Sequence, residues 1–418
     1  MFNTILQQAA VKALTKKKLP IRIDLPDGSI LYEGPSPVVH IKIKDYEKAV
    51  RSLARPSLGN IGKAYVEGWI DLEGDLATIL SIADHLVEPQ KHDKPSSRLL
   101  SYLKHFSWFD RRHIAYHYDV SNDFYALWLD GNMVYSCAYF KHPDDDLDTA
   151  QIQKLDHICR KLQLQPGERF LDIGCGWGAL MRHAVKYYGV HATGVTLSKQ
   201  QFEYAKTRIE KEGLKNQCTV LFEDYRKLPA SEPFDKIASV GMFEHVGRAR
   251  LFEYFAKVRS ILKDGGLFLN HGITSGNVGQ GGVGSGGGDF IDTYVFPGGE
   301  LTHIAEVLQR TSQSLLETVD LESLRPHYSR TLWHWVQRLD AHKEKAIQLV
   351  GEKKYRIWRI YMAGCAHAFS RGWITIYQAL IGKPDAQGRL DYPFVRDYMY
   401  QPPDHIEQPY KLTGSQNS

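Results

Sequence analysis

Residues Leu171-Asp172-Ile173-Gly174-Cys175-Gly176-Trp177-Gly178 constrain the fold more than any other part of the chain. A short apolar run, 169–173, leads straight into three alternating glycines, and a helical pattern opens at Ala179. Glycines at such a turn let the backbone approach a ligand closely, and the free N–H groups of the following helix face that ligand. The chain downstream keeps alternating. Helices are predicted over 179–188, with Gly189 as the C-terminal cap, over 198–212 and over 249–262. Strands are predicted over 193–197, 219–222, 235–240 and 266–273. That order implies an α/β chain with a doubly wound parallel sheet, and ligands held outside the carboxyl ends of its strands. The glycine spacing is G-x-G-x-G, not G-x-G-x-x-G, and Asp172 stands at the strand end just before the loop. Both features argue against a nicotinamide dehydrogenase.

A chain of 418 residues is too long for one hydrophobic core. Upstream, Ile21, Ile23 and Leu25 alternate with Arg22 and Asp24; Pro26-Asp27-Gly28 supplies a turn, and Val39, Ile41 and Ile43 repeat the pattern. With the helix-like stretches from Asp45 onward, this reads as a small N-terminal α+β domain over 1–87. A polar, proline-punctuated linker follows over 88–110, then the main domain over 111–382 and a tail over 383–418. Phe2, Ile5, Leu6, Ala9 and Leu14 share a helical face ahead of Lys16, Lys17 and Lys18. This is either a membrane-surface anchor or a helix packed on its own domain. The lysines follow the apolar part, so no signal peptide is expected. Arg98, Lys104, Arg111 and Arg112, interleaved with Phe106, Trp108 and Phe109, suit a lipid headgroup interface or, equally, a solvated helix. The net charge of +4 fits an anionic surface, and no basic stripe or stacking platform points to nucleic acid. Five cysteines at unrelated spacings match neither a disulfide framework nor a zinc site, so reduced thiols and no metal are expected. No apolar run is long enough for a membrane span. The glycine-rich stretch 276–288 reads as a lid over a site or as a plain connection.

The glycine loop with Asp172 before it resembles motif I of class I S-adenosylmethionine (SAM)-dependent methyltransferases. There the loop, here with Gly174 and Gly176, holds the methionyl part of SAM. The second strand ends Val195-Thr196-Leu197-Ser198, without the acidic residue usual for a ribose diol. Thr196 and Gln201, with Leu197 beside them, take that place. Ser198 and Gln201 also read as an S-x-x-Q capping box. Glu223 and Asp224 end the third strand, where a carboxylate accepts from the adenine amino group, and Phe222 or Tyr225 covers the ring; a solvated loop is the plainer reading.

Further motifs make the likeness specific. They are His117-Tyr118-Asp119-Val120-Ser121-Asn122, Tyr135-Ser136-Cys137-Ala138-Tyr139-Phe140, Gly241-Met242-Phe243-Glu244-His245-Val246-Gly247 and Asn270-His271-Gly272-Ile273-Thr274. Together with the loop they resemble the cyclopropane-fatty-acyl-phospholipid synthase family, with the mycolic acid cyclopropane synthases as relatives, over about 111–378. The resemblance implies a Rossmann-like class I methyltransferase fold with helical additions. It implies methyl transfer from SAM to the cis double bond of an unsaturated phospholipid acyl chain, then loss of a proton to a bound bicarbonate and ring closure. It assigns Glu244, His271 and Tyr328 to holding bicarbonate, with backbone N–H groups near Cys137 and Ile273, and makes Cys365 an active-site candidate. Tyr135 and Ser136 fall at the methionyl end of SAM, Thr196 and Gln201 at the ribose, and Phe222 and Glu223 at the adenine. A cytoplasmic protein bound peripherally to the inner face of the membrane is implied, and homodimerisation is common in the family. Taken alone, these residues have plainer readings: a capping Glu, a core His, core thiols, and for Tyr328 with Trp333 and Trp335 the core side of a helix. Aromatic faces near the double bond would also favour a cation. Three other functions compete: a methyl-branched or methylene product from the same double bond, an oxygen or nitrogen methyltransferase of small molecules, and a non-catalytic SAM- and lipid-binding protein.

Overall fold

The computed structural model describes residues 14–53, 57–86, 121–278, 287–295 and 300–401, together with Val11. The features predicted at Phe2 to Ala9, in the linker and its basic–aromatic stretch, at His117 to Val120 and in most of the glycine-rich stretch lie outside the described residues, as does 402–418 of the tail.

The N-terminal residues form a sheet of their own. Its strands β1 (Ile21–Asp24), β2 (Ile30–Glu33), β3 (Val39–Ile43) and β4 (Ile70–Glu73) lie in the order β2-β1-β3-β4. The alternation read from sequence turns Ile21, Ile23, Val39 and Ile43 inward, against helices α1 (Tyr46–Leu53), α2 (Leu58–Val66) and α3 (Leu76–Leu86). Ser57 caps α2 by accepting from the Asn60 N–H at 3.0 Å.

The second sheet is introduced by α4 (Asn122–Tyr125) and α5 (Leu147–Lys161). It then alternates through β5 (Arg169–Ile173), α6 (Ala179–Tyr188), β6 (His191–Thr196), α7 (Lys199–Lys211), β7 (Cys218–Phe222), β8 (Phe234–Val240), α8 (Leu251–Ile261) and β9 (Leu262–Ser275). After α9 (Gly287–Tyr294) and α10 (Ile304–Gln313) come β10 (Glu317–Ser323), three helices, α11 (Arg325–Ala341), α12 (Lys343–Val350) and α13 (Glu352–Arg371), and β11 (Ile374–Gly382). The strand order is β10-β11-β9-β8-β5-β6-β7. This is the expected Rossmann-like architecture with one correction: β11 runs antiparallel to both of its neighbours. Eight of its nine residues are buried, so its periodicity carried no sign of direction. β11 pairs with β9 from Leu267 to Ser275, which carries β9 past its predicted end and sets Gln378 opposite His271.

Between the sheets sits an aromatic core. Tyr125, Trp128, Tyr135, Trp335 and Trp358 pack with ring centroids 5.3–6.2 Å apart, mostly tilted or edge-on. Helix α13 binds the N-terminal unit through charge: Arg356 reaches Asp71 at 2.7 Å and the Tyr65 carbonyl at 2.9 Å, and Lys353 reaches Glu67 at 2.9 Å. The described part of the C-terminal tail runs back over the second sheet. Met399 is buried against α5, and Arg160 donates to the Tyr400 carbonyl at 2.8 Å.

Candidate active site

A cavity of about 360 Å³ opens outside the carboxyl ends of β5, β6 and β8. Tyr135, Ser136, Asp172, Gly174, Gly176, Thr196, Leu197, Gln201, Glu223 and Asp224 all line it. Gly174 has φ +77° and a Cβ there would lie 2.9 Å from Met242, so a side chain is excluded on both counts. Trp177 anchors the loop by donating to Asn122 Oδ1 at 2.8 Å, which joins two of the sequence motifs. Gln201 forms half of the capping box, and its side chain turns to Thr196 rather than back to the Ser198 N–H. Its N–H donates to Ser198 Oγ at 3.4 Å, and its Oε1 lies 2.9 Å from Thr196 Oγ1 at the cavity wall.

Of the two aromatic residues expected to cover an adenine ring, Phe222 is 53 % exposed at the end of edge strand β7, near Phe202, and Tyr225 lines the cavity, edge-on to Tyr254 at 5.8 Å. Asp224 caps the turn at Tyr225 and pairs with Arg226 at 2.6 Å, so its carboxylate is already engaged. Sequence reasoning missed Lys154, which reaches the cavity from α5. The spacing Gln151-x-x-Lys154 placed two polar residues on one helical face, a pattern that ordinarily marks solvent.

Burial pushes the Asp172 carboxyl up to about 7, against the pull of the Lys154 charge. Its neutral form is thus favoured by folding. That stabilisation is complete below the ordinary carboxylate value and is lost as pH rises through about 7. Without ligand, Asp172→Asn should therefore flatten the decline in stability between pH 4 and 8, by on the order of 4 kcal/mol. Urea unfolding of both proteins at the two pH values checks it.

The residues expected to hold a base lie one layer away. Gly272 faces the Phe243 ring so closely that a Cβ would meet it at 2.1 Å, and this lets the Glu244 carboxylate reach β9. Glu244 Oε1 accepts from the Ile273 N–H at 2.7 Å, while the buried Oε2 has no partner among the described residues. The Ile273 N–H, expected to face a bound base, is thus taken up by Glu244. Burial pushes Glu244 up to about 7, opposed by that backbone bond. His271 is fully buried with neither ring nitrogen partnered among the described residues, and burial drives its pKa far down, so the ring is neutral. Gln378, opposite it on β11, is buried and also unpartnered at both amide atoms. Buried polar atoms without partners are uncommon in a folded core, and here they sit on facing positions of β9 and β11.

Tyr328 lies on α11 with its ring 4.8 Å from Phe369 and 6.0 Å from Trp335. It neighbours Tyr361, which bonds with Tyr135 and Cys365. Burial pushes the Cys365 thiol up to about 12 and Cys137 higher still, so both stay protonated and neither is a thiolate nucleophile. Cys137 is fixed against α11, its Sγ 3.8 Å from the Leu324 carbonyl, and the next N–H donates to Thr331 Oγ1 at 3.0 Å.

Tyr361 and Cys365 also open on a second, apolar cleft, small at about 60 Å³. One wall is α13; the other is built by Leu58, Ile61 and Leu80 of the N-terminal unit and by Phe290 of α9.

Comparison with known proteins gives the fold a setting. The family model for mycolic acid cyclopropane synthetase matches residues 107–379. The probable fatty acid methyltransferase of Pseudomonas putida is 46 % identical over 392 residues, covering 93 % of this chain and 98 % of that protein. Among solved structures, the cyclopropane synthase MmaA2 from Mycobacterium tuberculosis superposes with a TM-score of 0.62 at 37 % identity, covering 65 % of this chain and 98 % of that one. Mycolic acid cyclopropane synthase CmaA1, solved with SAH and CTAB bound, gives 0.61 at 36 % identity, covering 65 % and 97 %.

Proposed function

The chain belongs to the mycolic acid cyclopropane synthetase family, and we propose that it methylates the double bond of an unsaturated phospholipid acyl chain and closes a cyclopropane ring. The observation that carries this reading is the apolar cleft, which meets the cofactor cavity at the Tyr135–Tyr361 contact. Its walls are apolar, so they suit a segment of hydrocarbon better than a small charged acceptor.

The cavity residues suit SAM. Carboxylates stand where an adenine amino group and an amino-acid ammonium would lie, and a glycine loop and a helix start flank the middle. When bound, SAM supplies an electrophilic methyl group. Tyr135 stands on the boundary between the two spaces, its ring packed on Trp128 and Trp335. These aromatic faces favour positive charge on the acyl chain and exclude water that would quench it. Glu244 Oε2 and the His271 nitrogens fit a small anionic base such as bicarbonate, with Glu244 holding or taking the proton. One observation favours a methyl-branched or methylene product: the Ile273 N–H is occupied by Glu244, which leaves a bound base one donor fewer.

None of the described helices is long and apolar enough to cross a membrane. We read the protein as a peripheral one that takes its lipid from the cytoplasmic face of the bilayer. Methyl-labelled SAM and unsaturated phospholipid vesicles test the whole reading. Released fatty acids that gain one CH₂ with ring protons by NMR support it. Vinyl or branched-methyl protons move the product to the second reading, and no label in lipid overturns both.

The cleft makes its own prediction. Gly364 lies in its α13 wall, and a Cβ there meets no atom within 4 Å. Gly364→Phe should fold, fill the cleft and lower turnover of long-chain lipid about tenfold or more. SAM affinity, measured by calorimetry, should stay within about twofold, because Gly364 does not line the cofactor cavity.

A further inference from the structure

Helix α5 passes behind the methionyl end of the cofactor cavity with Gln151 and Lys154 on one face. Gln151 Nε2 donates to the Ser136 carbonyl and Lys154 Nζ donates to Ser136 Oγ, both at 2.9 Å. Lys154 is 2 % exposed, yet it lines the cavity beside Tyr135, Ser136 and the glycine loop. The bond to Ser136 is the one hydrogen bond its ammonium makes among the described residues, and an ammonium carries three N–H groups.

Nothing nearby neutralises that charge well. Asp130 is turned to the backbone, accepting from the Asn132 N–H at 2.9 Å and the Val134 N–H at 2.7 Å. Burial pushes Asp130 up to about 6 and Asp172 up to about 7, so near pH 7 Asp172 is about half neutral, while Asp130, though mostly ionised, spends both oxygens on the backbone. Cys137 and Cys159, which also face Lys154, are buried thiols that stay protonated. An ammonium sealed from water with so little compensation is costly unless an anion joins it. Ser136 adds a second feature. Its oxygen accepts from Lys154, so its own hydroxyl proton is free to be donated into the cavity.

We propose that Lys154, with the Ser136 hydroxyl, binds the carboxylate of the methionyl tail of SAM and so turns the tail's ammonium toward Asp172. This rests on the reading of SAM as the cavity's ligand. The cavity is then polar along its length: a cation and a hydroxyl donor lie on the α5 side, and a carboxyl lies at the glycine loop. Ligands that keep the adenosine, sulfonium and amine but lack the carboxylate lose the first contact and leave a buried ammonium unpaired.

Decarboxylated SAM is that probe. Calorimetric titration of the wild-type protein should show SAM binding about tenfold or more tighter than decarboxylated SAM. In Lys154→Met the affinity for SAM should fall by a similar factor, that for decarboxylated SAM should hold or improve, and the preference should shrink to about twofold or less. Lys154→Arg should keep part of it. Equal binding of the two compounds by wild type, or an undiminished preference in Lys154→Met, overturns the proposal. Where Lys154→Met is too unstable to purify, Ser136→Ala carries the test and should lower the preference about threefold or more. Wild-type protein that binds neither compound refutes the SAM reading itself, a result distinct from loss of the preference.

Discussion

Glu244→Gln should cut formation of the ring product by about 100-fold or more while SAM affinity stays within about twofold of wild type. The variant keeps the shape of the side chain and an oxygen for the Ile273 N–H, the contact seen at 2.7 Å. It removes the ability to hold or accept a proton at the unpartnered Oε2. Glu244 stands outside the wall of the cofactor cavity, so cofactor binding has no reason to change. The pH profile separates this role from a structural one. Burial holds the wild-type carboxyl up at about 7, so the ring-forming rate should climb through that pH as Glu244 ionises. The climb should be missing from Glu244→Gln. An unchanged product yield in the variant would remove Glu244 from the chemistry.

Glu322→Gln should destabilise the fold by about 3–5 kcal/mol at pH 7, measured by urea unfolding. Glu322 accepts from the fully buried Lys161 at 2.5 Å and lies 2.8 Å from His157 Nε2. Burial alone would raise its pKa, but the His157 bond and the Lys161 charge outweigh that and hold it down at about 2. Removing the carboxylate leaves Lys161 with Asp320, 3.8 Å away, as its remaining ion-pair partner. Asp320 is itself shared with Arg396 of the C-terminal segment. The sign of the pH dependence follows from the depressed value. The stabilisation is present above the ordinary glutamate range and is lost as pH falls toward 2, so the gap between wild type and variant should close in acid. The same cluster carries His157 Nδ1, 3.1 Å from the Met399 carbonyl, so the variant should also loosen the C-terminal segment.

Where the chain is punctuated, sequence and structure agree closely. The run 169–173 is bounded by a turn and by Gly174, and the observed β5 has those limits. The helix ending at Gly189 is likewise found at Ala179–Tyr188, with Gly189 in the left-handed conformation. Agreement fails where burial on both faces erases periodicity. β11 is buried nearly throughout, so neither its direction nor its lengthening of β9 beyond 273 is legible in the sequence. The choice between Phe222 and Tyr225 stays open in the sequence because the last residue of a strand can face a ligand or solvent, and an edge strand has no neighbour to settle which. Lys154 and Lys161 were missed for one reason. Lysine on a helix ordinarily marks the wet face, and only the tertiary fold shows that α5 is buried on nearly all sides.

The apolar cleft has two owners: its walls come from the catalytic sheet's helices and from the small N-terminal sheet's helices. A boundary drawn between the two units therefore runs down the middle of the proposed substrate space. Severing the chain in the linker would yield a half that keeps the cofactor cavity but leaves its greasy flank open to water. Exchanging N-terminal units between relatives would transplant one wall with them, so such chimeras should differ in which acyl chains they accept even when every residue around the cofactor is the same.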